Sequence, residues 1–281
     1  MRRPVGPPGP AARVHGLSRP PPPHDISYPT PAGADETAEL VDASPDDADL
    51  DFPEGYARAK AGGELAAVAA FGEWALLTRA GLILGPYENV GRLPWWLGRI
   101  AHGGPVPAPG PADVAVQHID VRDLAAWMLD AAVQRLAGPF DLVCPVGHTT
   151  MGDVLDACVA ATGSNAELCS TAPETILAAG IQPWTGLPIW LPPGEMHDAL
   201  HGCDVSKALA AGLRCRPVTP TVADAWAWLQ TSMTGRPSVP TAHRSGSTPT
   251  SRPASLWNAR RADRAWRAVS PAVRATPAAS G

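Results

Sequence analysis

Tyr56 and Lys60, in the stretch Gly55-Tyr56-Ala57-Arg58-Ala59-Lys60, are the two side chains of this sequence whose types and spacing best suit chemistry. Positions i and i+4 share one face of a helix, so both groups would reach one site. A free phenol titrates near pH ~10 and a neighbouring cation favours its ionised form, which suits such a tyrosine to general acid–base work nearer neutrality. The spacing alone equally describes a surface helix carrying an aromatic ring and a lysine.

A proton-transfer group needs elements that hold it. The alanine-rich run after Tyr56 predicts a helix through about Phe71, and Trp74 to Pro86 reads as one buried strand closed by Gly85-Pro86. A helix follows over Leu93–Ile100. Val116 to Ala125 reads as a short strand entering a helix that extends from Asp120 to Leu136, with Leu124, Met128 and Val133 among its apolar positions. Phe140–Cys144 is a predicted strand, and a helix capped by Thr149 or Thr150 comes next. Asp204–Gly212 predicts a short helix with a glycine stop, and Thr221–Met233 a closing helix. Strands alternating with helices give the α/β class.

Three of these stretches, in order, carry a resemblance. Tyr56-x-x-x-Lys60, then Arg79-Ala80-Gly81-Leu82-Ile83-Leu84-Gly85-Pro86, then Gln117-His118-Ile119-Asp120-Val121-Arg122-Asp123-Leu124-Ala125 resemble the NAD-dependent epimerase/dehydratase branch of the extended short-chain dehydrogenase/reductase family. There the tyrosine–lysine helix precedes a strand of the type Arg-Pro-Gly-x-x-x-Gly-Pro and a later Gln-x-Ile-Asp-Val-Arg-Asp-Leu-Ala. The likeness runs from about Ser27 to about Leu229. It implies hydride transfer between a nicotinamide and a carbonyl or hydroxyl substrate, with Tyr56 moving the proton and Lys60 orienting the nicotinamide ribose. It also implies NAD or NADP as cofactor, held by Tyr56, Lys60, Ala80, Gly81 and Leu82. The partner would be a small carbonyl, hydroxyl or sugar-like substrate lined by Arg92, Gln117 and Arg122, the arginines being suited to an anionic group. A homodimer is compatible with the resemblance.

The sequence departs from that family in three places. No Gly-x-Gly-x-x-Gly or Gly-x-x-Gly-x-x-Gly precedes Tyr56, so the turn that brings backbone and a helix N-terminus to the pyrophosphate is absent. The position expected to carry the family's substrate-holding hydroxyl is His24, which leaves Ser27, or Thr30, as the substitute. Ala80 stands where the family has proline, a mild change because alanine can adopt the same backbone geometry. The expected fold is therefore the C-terminal part of a Rossmann-like doubly wound fold with a small substrate-binding lobe, N-terminally truncated, its first βαβ units missing.

Composition sets the boundaries. The 33 prolines are densest at the two ends, whereas the 27 glycines are spread along the chain. Residues 1–24, rich in Pro and Arg, are expected to be disordered and too proline-rich for strands, 25–233 to form the partial α/β domain, and 234–281 to be a disordered basic tail. That tail has eight arginines against Asp263, yet lacks an aromatic-and-basic platform, which disfavours nucleic acid as a partner. Asp35–Glu54 holds nine acids and no base and reads as a solvated loop. No run approaches the ~20 apolar residues of a membrane span, and a cytoplasmic protein is expected. Five cysteines without Cys-x-x-Cys, and His197 and His201 without the general-base glutamate of zinc hydrolases, argue against a metal site. The alternative to the oxidoreductase is a degenerate, non-catalytic binding or scaffold protein that lacks the cofactor cradle.

Overall fold

The computed structural model describes residues 14–18, 31–47 and 54–233. Strand β1 (Val14–Ser18) is followed by helix α1 (Glu54–Phe71), a 3-10 turn (Gly72–Trp74), strands β2 (Leu76–Ala80) and β3 (Leu82–Leu84), and helix α2 (Arg92–Ala101). Next come β4 (Gly104–Pro109), β5 (His118–Asp120), α3 (Val121–Gln134), β6 (Gly138–Leu142), α4 (Met151–Thr162) and β7 (Ala166–Thr171). Four helices close the order: α5 (Pro173–Ala178), α6 (Glu195–His201), α7 (Ser206–Ala210) and α8 (Val218–Met233).

These strands pair in parallel, as β1-β2-β6, β3-β5 and β4-β7. Parallel neighbours need crossover connections, and the intervening helices supply them. Alternation along β2 assigns the covering helices. Leu76 and Ala80 pack with Trp127 and Ala131 of α3, whereas Leu77 packs with Ala67 of α1. Helices on both faces of a parallel sheet make the doubly wound, Rossmann-like arrangement expected from the sequence.

The second large core lies away from that sheet, among α2, α4, α8 and the stretch 181–191. Trp96 and Trp190 are fully buried there, and the Trp96 indole N–H donates to the Pro188 carbonyl at 2.8 Å, so the ring's polar atom is satisfied inside an apolar cluster. Local signals fix the helix ends. The Thr150 hydroxyl accepts the Asp153 N–H while the Asp153 carboxylate accepts the Thr150 N–H, a capping box that starts α4, which ends at Gly163 in the left-handed region.

Four expectations are corrected. Val14–Ser18 forms a strand inside the segment expected to be disordered, because this proline-free window keeps the backbone N–H groups that parallel pairing with β2 requires. The run Trp74–Pro86 is two strands belonging to different sheets, divided at Gly81. Val133 of α3 is 84% exposed, since the helix turns its Leu124, Trp127 and Ala131 stripe to the sheet. The acidic segment is not a wholly solvated loop: Glu36 is buried, its carboxylate accepts the Asp141 N–H at 2.9 Å, and Gly33 and Asp204 tie 31–47 to residues 202–204 through backbone bonds. The other residues assigned to 1–24, and the basic tail, lie outside the described residues.

Candidate active site

α1 enters β2 through the 3-10 turn at the start of the strand, so the helix runs back along the sheet and its first turns stand beyond the carboxyl ends of the strands. Ligands of open parallel sheets bind at that edge. The docking point is specific. Arg79, the penultimate residue of β2, donates from Nε and Nη2 to the two carboxylate oxygens of Glu64 at 2.7 Å each, and Nη1 donates to the Glu36 carbonyl at 3.3 Å. Tyr56, Lys60 and Glu64 recur every fourth residue on α1 and share one face. Pinning Glu64 to the end of β2 therefore sets Tyr56 about 12 Å further along the helix axis, toward the carboxyl edge. The Lys60 ammonium lies 5.3 Å from the centre of the Tyr56 ring, and both residues are half-buried.

α2 brings the second charged group. Its first two free backbone N–H groups, those of Arg92 and Leu93, donate to the two carboxylate oxygens of Glu88 at 2.7 and 3.0 Å, a side-chain anion at the positive end of the helix. Burial pushes the Glu88 carboxyl above its usual range, against the opposing pull of those N–H bonds and of Arg92. The Arg92 guanidinium stands 5.0 Å over the Trp184 ring. Burial lowers its pKa, against the opposing attraction of Glu88 and of Tyr56, which lies within electrostatic reach. Tyr56 thus stands beside Lys60 and within electrostatic reach of Arg92.

The remaining sequence candidates are placed differently. Gln117 is 1% exposed; its amide N–H groups donate to the carbonyls of Cys144 and Cys203 at 2.9 and 2.8 Å and its oxygen accepts the Cys203 N–H. It is an internal cross-link with no group left for a substrate, contrary to the expectation that it lines a cleft. Arg122 is likewise committed, to Asp120 at 2.9 and 2.7 Å and to Asp224 of α8. Ala80 and Leu82 are buried in the two cores, and a Cβ on Gly81 would sit 2.6 Å from Val143 Cγ1, so these three residues can offer a ligand their backbone only. Ser27 lies outside the described residues. β1, however, ends at Ser18, in register with Ala80 at the same carboxyl edge.

Other titratable groups are structural. Asp120 is desolvated, yet bonds from Arg122 and Thr221 outweigh burial and hold its carboxyl at about 2. Burial pushes His118 down to about 4 and His201 down to about 3, so both rings are neutral. His201 Nδ1 accepts the Gln117 N–H at 3.1 Å, while His197 Nε2 donates to the Ala115 carbonyl at 2.9 Å, so the two histidines of α6 knit the chain together. Among the described residues no group of three His, Cys, Asp or Glu is arranged to hold a metal ion, and no helix is long and apolar enough to cross a membrane.

The sequence matches no family model and no curated protein. The fold does match solved structures. A "putative epimerase" from Burkholderia cenocepacia J2315 is 17% identical with a TM-score of 0.52, over 79% of this chain and 64% of that one. A GDP-L-fucose synthetase from Naegleria fowleri is 13% identical with a TM-score of 0.51, over 80% of this chain and 67% of that one. UDP-glucose 4-epimerase from Thermus thermophilus, solved in complex with NAD, is 16% identical with a TM-score of 0.46, over 77% of this chain and 64% of that one. The chain spans less than two thirds of the length of the Burkholderia and Thermus proteins. Its doubly wound α/β architecture is the fold of the Burkholderia epimerase and Naegleria synthetase structures, of which it carries a part.

Proposed function

We propose that this chain belongs to an NAD(P)-dependent oxidoreductase of the epimerase/dehydratase type, acting on a small carbonyl, hydroxyl or sugar-like substrate. The observation that carries the reading is the Tyr56–Lys60 face of α1, fixed by the Glu64–Arg79 pair over the carboxyl ends of β1, β2 and β6. Tyr56 Oη gives a proton to, or takes one from, the substrate oxygen; Lys60 supplies the cation that favours the ionised phenol. A serine hydroxyl would hold that oxygen, and Ser27 is the candidate from the resemblance.

The residues present fit NAD(P) at one end only. Lys60 beside Tyr56 suits a ribose and nicotinamide, and the cofactor would supply the hydride. A pyrophosphate needs a glycine turn leading from a strand into a helix N-terminus. β1 instead runs into Arg19 and four prolines, and β2 into Gly81, which Val143 closes off. The described strand ends therefore offer the cofactor a contact on its nicotinamide side and no built pyrophosphate site, which predicts weak binding. The same observation favours a second reading, a binding or scaffold protein that keeps the site's frame without turnover.

Incubating the full chain with NADPH and a panel of aldehydes, ketones and keto-sugars separates the two. Oxidation of NADPH that falls about 100-fold or more in Tyr56→Phe supports the oxidoreductase. Absence of turnover at millimolar NADPH with every compound supports the scaffold.

A further inference from the structure

A guanidinium that leaves water normally finds a carboxylate, and the ordered arginines of this fold show it: Arg79 holds Glu64, Arg122 holds Asp120, Arg216 holds Asp123. Half-buried Arg99 bonds the Gly103 and Pro105 carbonyls instead, and Arg92 differs from all four. Its side-chain nitrogens make no hydrogen bond among the described residues, and the carboxylate closest in sequence, Glu88, spends both oxygens on the backbone N–H groups of Arg92 and Leu93. The guanidinium is backed on one face by Trp184 at 5.0 Å, which leaves its edge donors for a planar anion.

We propose that Arg92 is the anchor for one carboxylate or phosphate monoester on the substrate, and that Glu88 is a specificity residue closing the adjacent helix terminus to a second anion. A free terminus of α2 would add two aligned N–H donors to the Arg92 fork and take a diphosphate across both. With Glu88 in place, a second phosphate meets a carboxylate instead of donors. The substrate class follows from the position of the anchor beside Tyr56: a carbonyl or hydroxyl compound with a single anionic group a short distance from the reacting carbon. This deepens the oxidoreductase reading and rests on Tyr56 as its proton-transfer residue; the anion-binding arm of the test does not depend on it.

Calorimetric titration of the full chain with pyruvate, inorganic phosphate and inorganic pyrophosphate tests the assignment directly. Pyruvate and phosphate are expected to bind and pyrophosphate to bind no better than phosphate. Arg92→Gln is expected to weaken the first two at least about tenfold, the scale of a lost charged hydrogen bond. Arg92→Lys, which keeps the charge and loses the fork, gives an intermediate loss and serves if the glutamine variant does not fold. Glu88→Gln is expected to reverse the ranking, so that pyrophosphate becomes the tighter ligand. Unchanged affinity in Arg92→Gln and Arg92→Lys, no binding of any anion by the native chain, or a pyrophosphate preference already present with Glu88 intact would each overturn the proposal. Arg92-dependent anion binding that persists in Tyr56→Phe, in a chain without turnover, would retain the subsite and remove the oxidoreductase function.

Discussion

Arg79 grips Glu64 through two hydrogen bonds of 2.7 Å, joining the carboxyl end of β2 to the middle of α1 with both side chains nearly enclosed. That one junction sets where Tyr56 and Lys60 stand, since Lys60 and Tyr56 lie one and two helical repeats up the same face.

Breaking this pair strands a buried charge. Glu64→Gln is expected to cost about 3 kcal/mol or more of unfolding free energy, because an uncompensated interior charge loses more than an exposed pair would. Glu64→Leu with Arg79→Met is expected to cost less than the glutamine variant alone. Urea denaturation measures both, and a loss below about 1 kcal/mol would be that of an exposed ion pair and would contradict the junction.

Acid stability follows from the two buried imidazoles. Their folded-state pKa values, about 4 for His118 and about 3 for His201, lie below the usual 6.5, so the unfolded chain binds protons first. Stability from them is fully present above pH ~6.5 and is lost as pH falls toward ~4, by about 1.4 kcal/mol per pH unit for each group. Asp120, held at about 2, adds a loss only in the lower window from about 4 to about 2. Urea midpoints recorded from pH 7 to pH 4.5 are expected to fall steeply, and His201→Gln to flatten the slope by roughly one proton. A flat profile over that range would mean that the imidazoles are not buried neutral.

Docking of residues 31–47 is testable at Gly62, where a Cβ would land on the Ser44 carbonyl oxygen. Glycine to alanine inside a helix ordinarily stabilises by about 0.8–1 kcal/mol. Here the clash is expected to win, giving net destabilisation and faster proteolysis within 31–47. A more stable Gly62→Ala would show that the segment does not pack on α1.

The cofactor reading has its own number. Without a pyrophosphate turn, NADH and NADPH are expected to bind no tighter than about 1 mM. Micromolar affinity in a calorimetric titration would require a cradle that the strand ends described above do not provide.

How much of this was legible in the sequence depends on range. The helices with local punctuation were legible: Thr150 with Asp153 starts α4 as its spacing suggests, and Asp120 opens α3 by accepting the Arg122 N–H. The tyrosine–lysine face was legible for the same reason, since i and i+4 is a property of the helix alone. Non-local partners were not. Nothing near Gln117 announces that its amide joins Cys144 to Cys203, some 27 and 86 residues away. β1 was hidden by composition, because a five-residue strand with only Val14 and Leu17 apolar carries little signal among so many prolines. Glu64 had a readable signal, the one charged residue of α1 beyond Lys60, and its partner Arg79 sits 15 residues on in a strand whose other residues are apolar or small.

The most direct test of the central claim is isotope transfer from deuterated NADPH to a carbonyl substrate at millimolar cofactor, comparing the native chain with Tyr56→Phe. The prediction is label in the product with the native chain and about 100-fold less with Tyr56→Phe, while anion binding at Arg92 and the urea midpoint stay as in the native chain. Equal label transfer by the two proteins, or none by either, would contradict the assignment of Tyr56 as the proton-transfer residue.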